Sequence, residues 1–222
     1  MNYRLSPSDL TFLYSGCKRC FYNKVVNAIQ PPSIPLPSVF SQIASLLKDH
    51  YTNKRASELH LSLPPGVVSL GEKRVKSQPI EFPTMNASCY IAGRFDIVVS
   101  FDDGTYGVID FKTSNPSRDS AEMYSRQLHA YAYALEHPAS NALSLCPVTK
   151  LGLLYFNPSI VKQDSVERLL YESEITWVEI EKNEGKFLDF IVEVMLLLES
   201  SEAPECSPSC KWCNYLNRLS GI

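Results

Sequence analysis

The stretch Gly93-Arg94-Phe95-Asp96-Ile97-Val98-Val99, followed after Asp102-Asp103-Gly104 by Val108-Ile109-Asp110-Phe111-Lys112-Thr113-Ser114, decides how this chain is read. Alternating apolar residues on both sides of a Gly-containing turn predict two neighbouring antiparallel strands. On a strand, residues two apart share a face, so Asp110 and Lys112 point one way while Ile109 and Phe111 point the other. The apolar face is expected to be the buried one. A carboxylate beside an ammonium, next to a strand that carries Asp96 in an apolar run, costs desolvation unless a ligand or metal compensates. That kind of local conflict is what functional sites look like.

Loop length decides whether the two carboxylates meet. A three-residue loop, Asp102-Asp103-Gly104, pairs Phe101 with Thr105 and sets Asp96 opposite Asp110. A two-residue loop, Asp103-Gly104, would set Asp96 against Phe111. The odd loop is expected, with Gly104 in the left-handed conformation. Facing carboxylates repel without a cation between them, and magnesium or manganese, hard ions with oxygen ligands, suit that pocket. Such a metal polarises a phosphate and lowers the pKa of its bound water, while Lys112 steadies the nucleophile or the developing charge.

Working outward, Ser6-Pro7-Ser8-Asp9 offers helix caps, and Leu10, Leu13, Tyr14, Phe21 and Val25 predict one helix up to about Val26. Pro31, Pro32, Pro35 and Pro37 forbid a regular element, and a second amphipathic helix opens at Ser38 and runs through Phe40, Ile43, Leu46, Leu47 and Tyr51. Period-two patterning then predicts strands at about 67–76, 89–101 and 105–112, read as a meander. A helix follows over 120–136, a buried strand over 150–156, one or two edge strands over 166–180, and a last helix from Glu184 to Glu199. The expectation is a single α/β domain over 1–222: an N-terminal helical part (1–60), a core (67–180), and a C-terminal helix with a cysteine tail (184–222).

A chain of 222 residues suffices for one ordinary domain. With 45% hydrophobic and 20% charged residues, it is neither disordered, collagen-like nor a coiled coil. No apolar run is long enough to span a membrane, and Met1-Asn2-Tyr3-Arg4 opens no signal peptide, so a cytoplasmic protein without a membrane partner is expected. The net charge of -3 is unevenly spread: residues 1–76 hold 10 Lys+Arg against 4 Asp+Glu. That basic third is a candidate phosphate-contacting face.

Five of the seven cysteines lie at the two ends, in Cys17-Lys18-Arg19-Cys20 and in Cys206-Ser207-Pro208-Ser209-Cys210-Lys211-Trp212-Cys213; Cys89 and Cys146 stand apart as ordinary thiols. Two C-x-x-C pairs supply the four thiolates of a closed tetrahedral zinc site or of an iron-sulfur cluster. Spacing alone favours zinc on Cys17, Cys20, Cys210 and Cys213. Either metal would staple a poorly packed tail to the first helix.

The chain resembles the PD-(D/E)xK nuclease superfamily, and within it the RecB-like group that includes the CRISPR-associated exonucleases. Gly93-Arg94-Phe95-Asp96 matches G-x-x-D, Asp110-Phe111-Lys112 matches (D/E)-x-K, and Gln127-Leu128-His129-Ala130-Tyr131 matches Q-x-x-x-Y on the following helix. The resemblance implies a restriction-endonuclease-like core: helix, three-strand antiparallel meander, helix, strand, with added helices and the cysteine staple. It implies Asp96 and Asp110 as ligands of Mg2+ or Mn2+, Lys112 as the catalytic lysine, and Gln127 and Tyr131 as helix residues reaching the site. His50 is the match for a metal-binding histidine on the helix before the strands. At the cysteines the resemblance implies a [4Fe-4S] cluster, with Cys206 able to replace Cys20 in the ligand set and zinc as the alternative.

The function it implies is metal-dependent hydrolysis of DNA phosphodiesters, as an exonuclease on single-stranded DNA working beside other DNA-processing proteins. The competing reading is a weak or inactive nuclease fold that binds nucleic acid or a partner.

Overall fold

In a computed structural model that describes residues 1–32 and 37–219, the two quoted strands pair in the expected register. Strands β5 (Ile97–Phe101) and β6 (Tyr106–Lys112) run antiparallel, with Ile97 opposite Ile109 and Ser100 opposite Tyr106. The Phe101 N–H donates to the Thr105 carbonyl at 2.9 Å, and Gly104 closes the turn at φ +86, where a Cβ would be strained. Strand β2 (Gly66–Leu70) pairs antiparallel with the other side of β5, completing the meander. Helix α5 (Arg118–Glu136) then crosses over, and β7 (Val148–Ser165) returns parallel to β6, as a parallel pairing requires. Strand β8 (Arg168–Ile180) closes the five-stranded sheet in the order β2-β5-β6-β7-β8.

The strands expected at 67–76 and 89–101 are each two strands. Between β2 and β5 the chain makes an excursion through β3 (Lys73–Lys76) and β4 (Ser88–Phe95), which form a separate three-stranded sheet with β1 (Asn2–Leu5). The alternation runs on from β4 into β5, but the strands change partners at a bend on Asp96. The strand expected at 150–156 extends to Ser165, and its outer half forms an exposed ribbon with β8.

The first helix is interrupted. A π-helical stretch (Asp9–Leu13) runs into α1 (Tyr14–Gly16), Cys17 is extended at φ -159, and α2 (Lys18–Val26) follows. Helix α3 (Ser38–Tyr51) starts where expected, and α4 (Ala56–Leu59) precedes β2. Helix α6 (Glu184–Leu198) leads to the tail, which ends in α7 (Lys211–Leu219). Pro35 lies outside the described residues.

Both faces of β6 are covered, which corrects the expectation that only its apolar face is buried. On one side Ile109 and Phe111 pack with Tyr51, Ala56 and Leu59 from α3 and α4. On the other, Val108 lies in the main core with Leu128 and Leu135 of α5 and Ile191 of α6. Each such fully buried Leu or Ile side chain contributes roughly 1.5–3 kcal/mol. Asp110 shares the α5 side and is only 4% exposed. Among the described residues, no helix is long and apolar enough to cross a membrane.

Candidate active site

Asp110 sits on the central strand β6, and Asp96 at the bend between β4 and β5. The regular ladder ends at Ile97 and Ile109, so Asp96 does not continue it through its backbone. Its Oδ2 instead accepts the Phe111 N–H at 2.9 Å, which anchors this carboxylate beside Asp110. Lys112 Nζ lies 2.5 Å from Asp110 Oδ2, an ion-pair distance. That ammonium is the partner of an otherwise buried Oδ2. Burial pushes the Asp110 carboxyl up to about 6; Lys112 opposes that shift and Asp96 reinforces it.

Helix α5 supplies the rest of the cluster. Gln127 and Tyr131, one turn apart, point inward as their spacing predicts. Gln127 Nε2 donates to Asp110 Oδ1 at 3.3 Å and to the Tyr131 hydroxyl at 3.0 Å, and its Oε1 accepts from Lys112 Nζ at 3.3 Å. Burial raises the Tyr131 phenol far above its usual range, with Asp110 adding to the shift, so it stays protonated. Tyr124, three residues before Gln127, was not foreseen; Lys112 Nζ lies 3.8 Å from its ring centroid. The i, i+3, i+7 series Tyr124, Gln127, Tyr131 is the sequence signal that would have found it. Gly93 is required by space: a Cβ there would stand 2.7 Å from Pro7 and 3.2 Å from Tyr131.

From the opposite side, α3 presents Lys48 rather than His50. Lys48 Nζ lies 2.8 Å from Asp96 Oδ1 and 2.5 Å from Glu72 Oε2, and Glu72 also pairs with Arg94. His50 is exposed, edge-on to Tyr51 with ring centroids 4.9 Å apart. Among the described residues it makes no hydrogen bond or ion pair with either carboxylate. Residues two apart on a helix point about 200° apart, so α3 cannot turn both Lys48 and His50 to one site.

The cysteine site is built by two matching helix starts. Cys17 immediately precedes α2 and Cys20 lies in its first turn; Cys210 immediately precedes α7 and Cys213 lies in its first turn. The Sγ atoms of Cys17, Cys20, Cys210 and Cys213 all lie within 4.8 Å of one another. Individual separations are 3.8 Å for Cys17–Cys213, 3.6 Å for Cys20–Cys210 and 3.5 Å for Cys20–Cys213. Cys206 is outside this set, its Sγ accepting from Asn217 Nδ2 at 3.8 Å. Burial pushes the Cys17 thiol up, but backbone N–H groups of Ser207 and Cys20 and the adjacent thiols outweigh it and bring it down to about 7. Burial raises Cys20 and takes Cys213 to about 12. The set could bind a soft metal ion. Trp212 packs against it and stacks on Tyr215.

A buried carboxylate, a half-buried one beside it, a lysine between strand and helix, and a glutamine joining Asp110 to that lysine form the kind of site that holds a divalent cation against a phosphodiester. The PD-(D/E)XK nuclease superfamily matches residues 35–218, and this chain belongs to that superfamily. Membership implies metal-dependent nuclease activity with a nucleic-acid substrate. A solved structure described as "Crystal structure of SSO0001" is similar at 14% identity and a TM-score of 0.46, covering 96% of this chain and 84% of that one. The comparison with curated proteins gave no match.

Proposed function

We propose that this protein is a DNA nuclease of the RecB-like kind, acting on single strands from an end, with Asp96 and Asp110 as its metal ligands. The observation that carries the reading is Asp110, a buried carboxylate whose charge is opposed by Asp96 and countered by the Lys112 ammonium. Two neighbouring carboxylates oppose each other's charge, and a divalent ion held by both relieves that repulsion. When bound there, Mg2+ or Mn2+ supplies Lewis-acid polarisation of the phosphate and an acidified water. The chain's own residues do the rest. Asp96 is held by the Phe111 N–H, Gln127 holds Asp110 and Lys112 in place, and Lys112 Nζ offers hydrogens to the attacking water or the developing oxyanion. Tyr131, protonated and neutral, accepts the Gln127 amide hydrogen at the helix wall of the site.

At the cysteines we propose a single tetrahedral ion, zinc, on Cys17, Cys20, Cys210 and Cys213, in a reducing compartment such as the cytoplasm. Four thiolates about 2.3 Å from one ion stand roughly 3.8 Å apart, close to the separations of 3.5, 3.6 and 3.8 Å here. A [4Fe-4S] cube places irons and sulfides between its ligands and needs a wider cage.

One observation favours the second reading, a fold that binds without cutting: Lys48 and Lys112 already neutralise both carboxylates. The test is incubation of the purified protein with end-labelled single-stranded DNA, with and without Mg2+ or Mn2+, beside Asp96→Ala. Metal-dependent cleavage lost in the variant supports the nuclease. No cleavage with either metal, from folded protein, favours the binder.

A further inference from the structure

The outward face of the small sheet carries cations that the catalytic cluster does not use. Register sets Arg74 directly opposite Arg94 across β3 and β4, Lys76 opposite Ala92, and Arg4 beside Tyr90 across β1 and β4. With a period of two, Arg4, Arg74, Lys76, Tyr90 and Arg94 project from one face. Leu5, Val75, Ile91 and Phe95 fill the other and are buried. Like charges directly opposite destabilise a strand pair. Arg94 is neutralised by Glu72, but among the described residues neither Arg4 nor Arg74 has an ion-pair partner.

Arg4, Arg74, Lys76 and Arg94 line a cleft of about 940 Å³ in which, among the described residues, no carboxylate takes part. The cleft leads to the carboxylates along two routes. Tyr131 forms part of its wall, and the Tyr131 hydroxyl accepts from the Gln127 amide that also donates to Asp110. Arg94 on its rim continues through Glu72 and Lys48 to Asp96.

We propose that this face is the track for the phosphate backbone of a single nucleic-acid strand, with Arg4, Arg74 and Lys76 neutralising phosphates as the strand approaches Asp96 and Asp110. The direction of travel rests on the nuclease reading; the binding does not. A protein of net charge -3 does not attract a polyanion as a whole, so binding requires a local concentration of cations such as this one. Arg74 and Lys76 are two residues apart on one strand, about 7 Å, which is of the order of the separation between successive phosphates on an extended chain. A concave cleft accepts a single strand, and Tyr90 beside it holds Lys76 Nζ over its ring, 5.1 Å from the centroid.

The test uses the full chain with Arg4→Ala, Arg74→Ala and Lys76→Ala combined, a fluorescent oligothymidylate, and EDTA so that nothing is cut. Anisotropy is followed between about 50 and 200 mM salt. Each lost single-strand phosphate contact reduces the log-log salt slope by about 0.7, so the triple variant should lose roughly 2 from the slope and bind at least about tenfold more weakly at low salt. A variant with Lys54→Ala, Lys150→Ala and Lys162→Ala removes equal charge from other faces and should keep the wild-type slope. If the triple variant melts early, Arg74→Gln alone is read for a slope change of about 0.7. Unchanged binding in the track variant, equal losses in both triple variants, or no binding by the wild type would overturn the proposal. If the wild type cuts and the track variant binds normally, the track falls and the nuclease stands. If the wild type never cuts but the track variant loses binding, the track stands and the nuclease falls.

Discussion

Gln127 and Asp110 are joined across the space between α5 and β6, Nε2 to Oδ1, at 3.3 Å. The same side chain accepts from Lys112. A primary amide carries a donor and an acceptor on one rigid plane, so Gln127 can hold an anion and a cation at once. Neither a carboxylate nor a lysine at this position could do both. Gln127 therefore fixes the geometry of Asp110 and Lys112, the two residues proposed to do the chemistry.

Replacing Gln127 with Ala leaves Asp110 Oδ1 without its donor and removes the acceptor that positions Lys112. We expect metal-dependent cleavage to fall by about 10–100-fold, the range for residues that orient metal ligands. The loss should be seen chiefly as a higher metal concentration for half-maximal activity. A Mn2+ titration of the variant measures it, and an unchanged half-maximal concentration would remove Gln127 from its positioning role.

Lys48 holds Asp96 at 2.8 Å and Glu72 at 2.5 Å with its side chain 16% exposed. If it stands where a divalent ion would share charge, Lys48→Ala should bind Mn2+ more tightly while the metal-free protein loses about 1 kcal/mol or less. Addition of Mn2+ should then raise the thermal midpoint of the variant more than that of the wild type. Equal metal-induced shifts would show that Lys48 and the metal do not compete, which removes Lys48 as an argument for the binding-only reading.

The hairpin register was legible because a turn is a local object: one three-residue loop with Gly104 fixes every pairing from Phe101 to Ile97. Gln127 and Tyr131 were legible because helical spacing carries side-chain direction. The change of sheet at Asp96 was not, since the apolar alternation of Cys89, Ile91, Phe95, Ile97 and Val99 passes through with little sign of it. Only the partners differ. Cys17 interrupts a run of helix formers because its Sγ is directed to a thiol 196 positions away. The chemistry of an imidazole points to His50, but which face of α3 meets Asp96 is a property of the packed sheet, and that face carries Lys48. Strand β1 is four residues long and its partner begins at Ser88, so nothing nearby announces it.

The two C-x-x-C helix starts predict one tightly held metal ion per chain. Metal analysis of protein purified without oxygen should find zinc and no brown iron-sulfur absorption; stoichiometric iron with inorganic sulfide would reject the single-ion reading. Cys213→Ser removes one of four thiolates and frees α7 from α2. We expect loss of the metal and of roughly 2 kcal/mol, or about 4–8 °C in thermal midpoint. Cys206→Ser, outside the ligand set, should keep both.

His129 gives the fold an acid limit. The Ser125 carbonyl can only accept, so Nδ1 carries the hydrogen in their 2.8 Å contact, and Nε2 accepts the Asn183 N–H at 2.8 Å. Asn183 in turn caps α6 through Lys186 N–H, so the neutral ring ties α5 to the start of α6. Burial lowers the His129 pKa, and Lys182 and Lys186 lower it further, while the Ser125 carbonyl and Glu184 oppose this. The unfolded chain takes up a proton near pH 6.5 that the native ring refuses, so the contribution is complete above that value and is lost as pH falls toward the native pKa. One proton sets a slope of at most about 1.4 kcal/mol per pH unit. Urea midpoints taken above and below pH 6.5 should therefore converge for wild type and His129→Gln as the solution is acidified, since the variant lacks this titration. If both proteins lose stability in parallel, the acid limit belongs to other groups.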